Sequence, residues 1–227
     1  MKLFFRIIFF LFLLFFSSMS LAEKIIEKYL VEVGGLNLGV FVWEVDLTKD
    51  KYSIRIALKN KGFLTSLYKF SGLYEVSGIR QNGNILPETY KQEWKTNKKK
   101  RYIKIFFNKN KVVKIIQNPI ENEIRRIDYN NKIGLKDPLT SFLEILLRKR
   151  QSRTIDGRRT YLMKAELNKK NNLIKINIEE YKNIRSDHKR LDLEYIELFQ
   201  SSSINNLTLP SLIKIKFKGI VYKITKN

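Results

Sequence analysis

Along most of this chain apolar and polar residues alternate one by one, which puts the apolar set on one face of an extended strand and the polar set on the other. Between Ser53 and Lys59, Ile54, Ile56 and Leu58 share one face. Ile174, Ile176 and Ile178 alternate with Lys175, Asn177 and Glu179, and Ile213, Ile215 and Phe217 alternate with Lys214, Lys216 and Lys218. Arg101, Ile103, Ile105 and Phe107 line one side of a further strand. Asn and Gly, which tolerate the positive φ of tight turns, separate these runs at Gly34-Gly35, Asn82-Gly83-Asn84 and Asn108-Lys109-Asn110. The pattern predicts about nine to eleven strands, near 28–34, 38–48, 51–60, 71–81, 87–96, 100–108, 111–117, 158–167, 172–181, 190–199 and 211–225.

One segment has helical rather than strand periodicity. Leu139, Phe142, Leu143, Leu146 and Leu147 form a helical stripe, with Asp137 as N-cap and Pro138 at the first helical position. The helix is expected to run through about residue 149, with Arg148-Lys149-Arg150 in its last turn complementing the dipole. The predicted fold is therefore mainly β: a curved antiparallel sheet or partly open β-barrel with this amphipathic helix packed on or in it.

The first 22 residues follow a different rule. Lys2 and Arg6 precede the apolar run Ile7–Phe16, and Ser20 and Ala22 stand where signal peptidase requires small residues. A run of about ten apolar residues is short for a membrane span, which needs roughly twenty. Residues 1–22 are expected to be a cleavable signal peptide and residues 23–227 one mostly β, periplasmic domain. With no cysteine in the chain, a lipoprotein anchor, a disulfide framework and thiolate chemistry are all excluded.

Without Lys2 and Arg6, 42 basic residues face 22 acidic ones, a formal +20 that attracts anionic surfaces. The abundance of Lys, Asn and Ile together is equally what an AT-rich coding sequence yields, so the charge has both a functional and a compositional reading. Export sets nucleic acid aside as the partner.

Catalytic chemistry is thinly represented. The only histidine, His188, lies in a polar stretch, and no phosphate-cradling glycine motif is present, so no cofactor and no metal are expected. Glu32, Glu44, Asp46, Glu75 and Glu93 could serve acid/base hydrolysis of a polysaccharide, but alternation puts most of them on the wet face beside lysines, as cross-strand ion pairs.

The order of short features is similar to that of an exported bacterial family, domain of unknown function 3108. Tyr29–Gly39 with its Gly-Gly turn, Gly62–Tyr68, Pro87-Glu88-Thr89-Tyr90 and the Lys/Arg-rich strand at 98–107 carry the resemblance. Asp137–Phe142, Asp156–Tyr161 and Leu209–Ile213 extend it. The resemblance implies an envelope location and a mostly β fold, and no catalytic residue.

The function expected from these readings is non-enzymatic: binding or carrying an apolar or amphipathic envelope ligand such as a lipid. Phe41, Trp43, Phe142 and Leu146 are the expected cavity lining, and Lys214, Lys216 and Lys218 the expected contacts to an anionic membrane surface. The alternative is a structural or interaction module that docks an envelope protein, with a polysaccharide-acting enzyme third.

Overall fold

The computed structural model describes residues 23–61, 69–185, 192–200 and 207–227. The signal segment, His188 and the Ser201–Asn206 stretch fall outside them. Thirteen strands form one antiparallel sheet: β1 (Glu23–Val33), β2 (Leu36–Leu47), β3 (Lys51–Asn60), β4 (Phe70–Gln81), β5 (Asn84–Thr96), β6 (Lys100–Asn108), β7 (Lys111–Asn118), β8 (Gln151–Ile155), β9 (Arg159–Asn168), β10 (Leu173–Asn183), β11 (Leu193–Phe199), β12 (Leu212–Phe217) and β13 (Ile220–Lys226). The helix α1 spans Pro138–Leu146. Among the described residues no helix is long and apolar enough to cross a membrane.

The topology is a double meander. Strands β1 to β7 follow one another across the sheet, β8 to β13 do the same, and the halves join where β1 pairs with β13. The edge strands β7 and β8 do not pair, so the sheet is not closed. A short segment spans their gap: the Gly134 amide donates to the Asn110 carbonyl in the β6–β7 turn (3.0 Å), and Lys136 exchanges backbone hydrogen bonds with Arg153 and Ile155 (2.9 and 2.8 Å). For three residues, Gly134 to Lys136, to reach both edges, the sheet must curl round into an open barrel.

Alternation sets which side chains point inward. In β2, Phe41, Trp43, Val45 and Leu47 are buried at every second position, and in β3 Tyr52, Ile54 and Ile56 repeat the rule. These pack with Tyr29, Ile105, Ile176 and Leu198 in one core.

Helix α1 lies within the curl, touching β2 through Phe142 on Trp43 (ring centroids 5.4 Å apart) and β3 through Thr140 on Tyr52. It also packs on β4, β5 and β8. Asp137 caps it as expected, accepting the Leu139 and Thr140 amides at 3.0 Å. The helix ends earlier than its stripe predicts. Leu147 is the C-cap, Arg148 turns into a left-handed conformation (φ 73°), and no basic residue lies in the last turn. The reason is Glu144: its carbonyl takes the Lys149 amide (2.9 Å) and its carboxylate the Lys149 ammonium (2.6 Å), which pulls the chain back toward β8.

Three other boundaries differ from expectation. The run 211–225 is two strands, folded at Lys218-Gly219, whose positive φ values (52° and 77°) suit a two-residue hairpin. β5 starts at Asn84 and carries Pro87 inside it, tolerated because the register shifts beside Gly78, the residue opposite. β8 was not expected at all.

Gly78 has no room for a side chain. A Cβ there would stand 2.2 Å from the Leu86 carbonyl oxygen and 2.7 Å from the Tyr52 ring. Gly78→Ala is expected to cost about 1–3 kcal/mol through overpacking, read as a lower urea midpoint at unchanged slope.

Candidate functional site

A cavity of about 590 Å³ opens at the end of the barrel where β5 finishes and β6 and β9 begin. Its walls are aromatic because inward positions of several strands carry large rings. β5 turns Tyr90, Gln92 and Trp94 inward in succession, and Tyr74 reaches Trp94 from β4 (centroids 6.4 Å). Tyr161 and Tyr181, on the paired strands β9 and β10, stack at 5.9 Å with their planes 17° apart. Phe217 and Leu193 complete the apolar lining.

The polar part of the site is built by the turn Asp156–Arg159 between β8 and β9. The Asp156 carboxylate accepts the amides of Arg158 (2.9 Å) and Arg159 (2.7 Å), and Gly157, at φ 88°, lies against Ile103. This turn aims two guanidinium groups at the cavity. Arg159 pairs with Asp192 at 2.7 Å, and Arg158 pairs with Glu121 at 3.1 Å. Arg101 and Lys218 stand exposed at the mouth, and neither is in an ion pair with another described residue. Two aspartates therefore face four cationic side chains in the lining, leaving the cavity with a positive surplus.

Burial sets the protonation states of the lining. Burial pushes the phenols of Tyr74, Tyr90 and Tyr161 well above the usual range, and that of Tyr181 up to about 12, so all four are neutral hydroxyls at physiological pH. Asp156 is raised by burial, an effect that Arg159 partly offsets. Both cavity carboxylates are engaged, Asp156 by backbone amides and Asp192 by Arg159.

The four residues expected to line a cavity are not among those that line this one. Phe41, Trp43 and Leu146 are buried in the core cluster, and Phe142 packs against it. Phe41 and Trp43 meet edge to face at 6.0 Å, and Trp43 meets Phe142 at 5.4 Å, so these rings fill space rather than enclose the cavity. Of the three predicted surface lysines, Lys214 is 3.9 Å from Glu197 and Lys216 is 2.7 Å from Glu194, while Lys218 lines the cavity mouth. The carboxylates weighed for hydrolysis lie mostly in outer-face pairs: Glu32 with Lys223, Glu44 and Glu75 with Arg55, and Glu93 with Lys91. Asp46 is half-buried, with one oxygen lacking a hydrogen-bond partner. Among the described residues no cluster of three metal-ligating side chains occurs.

Residues 28–180 match the family model described as "Protein of unknown function (DUF3108)". The chain belongs to this family. The match takes in helix α1, the seam segment and the Asp156–Arg159 turn, whereas Tyr181, Asp192, Phe217 and Lys218 of the DUF3108 chain's cavity lie beyond it. No curated protein matches. Among solved structures, the crystal structure of a beta-barrel-like protein of domain of unknown function DUF1849 from Brucella abortus is similar over 91% of this chain and 95% of that one, at 10% identity and a TM-score of 0.49.

Proposed function

We propose that this protein is a non-catalytic component of the bacterial envelope that holds an amphipathic, anion-headed ligand such as a lipid in its barrel-end cavity. One observation carries the reading: a cavity of about 590 Å³, walled by Tyr74, Tyr90, Trp94 and Tyr161, has the exposed cationic side chains of Arg101 and Lys218 at its mouth. That volume lies within the roughly 300–1,000 Å³ typical of small-molecule sites, and apolar walls with a few directional polar groups are their usual make-up. The periplasmic location rests on the charged, apolar and small-residue order of residues 1–22. The neutral tyrosines and engaged carboxylates support a binding rather than a catalytic role.

The chain's two tryptophans give a direct test, because Trp94 lines the cavity and Trp43 is buried in the core. A single-chain amphiphile brominated on its acyl chain is expected to quench wild-type and Trp43→Phe protein, but not Trp94→Phe. Absence of quenching in the wild type, with no lipid co-purifying by mass spectrometry, would overturn the reading.

A second reading, a protein-docking module, is favoured by one feature. Edge strand β7 exposes Val113 and Ile116, and the chain after it exposes Ile120 and Ile124, so an unpaired strand edge is flanked by apolar side chains. Deuterium exchange separates the two: bound amphiphile should protect amides of β5 and β9, and a docked strand those of β7.

A further inference from the structure

The outer face of the sheet treats charge in two ways. Along one row, Glu44, Arg55, Glu75 and Lys91 sit in register on four adjacent strands, and opposite charges alternate. Four residues further along, at the cavity end, the corresponding row reads Lys59, Ser71, Lys95 and Lys100, with Lys95 directly opposite Lys100. Like charges facing each other across strands destabilise a sheet. Among the described residues none of these three lysines is in an ion pair, whereas Lys164, Lys214, Lys216 and Lys223 on other strands each have a glutamate. No acidic residue occurs between Ala57 and Ser71 or between Trp94 and Arg101.

The same row borders a groove of about 500 Å³, lined by Lys59, Lys69, Lys95, Phe70, Thr96 and Asn97 among others. Its frame is fixed by hydrogen bonds. The Asn97 side-chain oxygen accepts the Lys69 amide (3.2 Å), and Thr96 Oγ1 accepts the amides of Lys98 (3.3 Å) and Lys99 (3.0 Å). These contacts hold a set of ammonium groups around a concavity that offers no carboxylate. The groove also shares a wall with the cavity: Phe70, in the groove, meets Trp94, in the cavity, edge to face at 6.2 Å.

We infer that this lysine-lined groove is a binding site for the phosphate head groups of an anionic bilayer, which seats the cavity mouth on the lipid surface. Clustered lysines without an ion-pair partner among the described residues gain most from an external anion. Aromatic residues beside them, and an apolar cavity behind those, suit the membrane interface better than a fully hydrated polymer. The inference rests on the cavity reading only for the use made of docking; head-group binding is measurable without a cavity ligand.

Sedimentation of the exported protein with vesicles of phosphatidylcholine alone, or of equal phosphatidylcholine and phosphatidylglycerol, tests it. Wild type is expected to bind only the anionic vesicles, and less as salt rises. The quadruple variant Lys59→Gln, Lys69→Gln, Lys95→Gln, Lys100→Gln is expected to bind at least about 100-fold more weakly. A control with the same charge change, Lys164→Gln, Lys214→Gln, Lys216→Gln, Lys223→Gln, should stay within about threefold of wild type. Equal losses in both variants would mean that net charge alone governs binding, and would overturn the site. Binding to soluble polyphosphate but not to vesicles would overturn the bilayer as partner. Vesicle binding through the groove with Trp94 unquenched by brominated chains would sink the cavity reading and leave the groove standing.

Discussion

Glu144→Ala is expected to lower stability by about 3–5 kcal/mol, because it leaves the buried Lys136 ammonium without its carboxylate. Glu144 is 2% exposed and Lys136 6%. The carboxylate takes hydrogen bonds from Lys136, from Lys149 (2.6 Å) and from Ser152 (2.8 Å), and Lys136 also donates to the Ile85 carbonyl at 2.5 Å. Burial lowers the Lys136 pKa and Glu144 works against that, so removing Glu144 leaves burial unopposed. The damage should be localised. Lys136 is the residue through which the seam segment bonds to β8, so amides of Lys136 and Ile155 should lose hydrogen-exchange protection before those of β2 or β3. The double variant Lys136→Met, Glu144→Leu is expected to recover most of the loss, since an apolar pair of similar size carries no charge to desolvate. A thermal midpoint for Glu144→Ala within about 2 °C of wild type, rather than on the order of 10 °C below it, would refute this account.

The polar interior around α1 also explains what the sequence does and does not reveal. Strands whose inward positions are apolar, such as β3 with Tyr52, Ile54 and Ile56, announce themselves by alternation. β8 does not, because its inward residues Ser152 and Thr154 face the helix's own buried polar side, where Thr154 Oγ1 lies 2.8 Å from Ser141 Oγ and Ser152 Oγ 3.1 Å from it. A hydroxyl facing a hydroxyl leaves no hydrophobic period to read. The split of β12 and β13 is hidden for another reason: Lys218-Gly219 lacks the Asn-Gly or Asp-Gly pair that marks most such turns. The early stop of α1 depends on Arg148 adopting positive φ, which no glycine advertises.

The place of the cavity in the fold is set by topology rather than by pattern. Tyr74, Tyr90, Tyr161 and Tyr181 sit on four strands, two in each half of the double meander, and each alone reads as an ordinary core aromatic. Only the curl of the sheet brings them to one end. The helix stripe leads instead to Phe142 and Leu146, whose apolar character is equally that of a core, and there Leu146 is buried in the core cluster with Phe142 packed against it. Surface charge shows the same contrast. Lys214 and Lys216 alternate like free cationic positions, yet β11 supplies each with a glutamate, whereas Lys95 and Lys100 stand directly opposite each other. Pairing partners, which lie far apart in sequence, decide which lysines are available.

Between about pH 7 and pH 4, the Asp137 carboxyl is expected to make the fold more stable as the pH falls. The carboxyl is fully buried at the helix N-terminus, and burial raises its pKa from 3.8 to about 6, against the opposing pull of hydrogen bonds from Thr140 and the Leu139 amide. The charges around it are Lys136 and Glu144, with Glu88 beyond Tyr52. Below about pH 4 the group is protonated in both folded and unfolded chains and contributes nothing. As pH rises toward 6 the unfolded chain releases the proton while the folded one retains it, so stability falls, and the loss is complete above the folded value. From 3.8 to about 6, at roughly 1.4 kcal/mol per pH unit, this amounts to about 3 kcal/mol. The Tyr52–Thr140–Asp137 chain can serve both states: Tyr52 donates to Thr140 and Thr140 to the carboxylate, or the protonated carboxyl donates and both hydroxyls reverse. Asp137→Asn keeps a good N-cap and removes the titration. Urea midpoints between pH 4 and pH 7 should therefore fall more steeply for wild type than for Asp137→Asn, with a residual slope from Asp156, which burial raises in the same direction. Parallel curves for the two proteins would show that Asp137 keeps an ordinary pKa despite its burial.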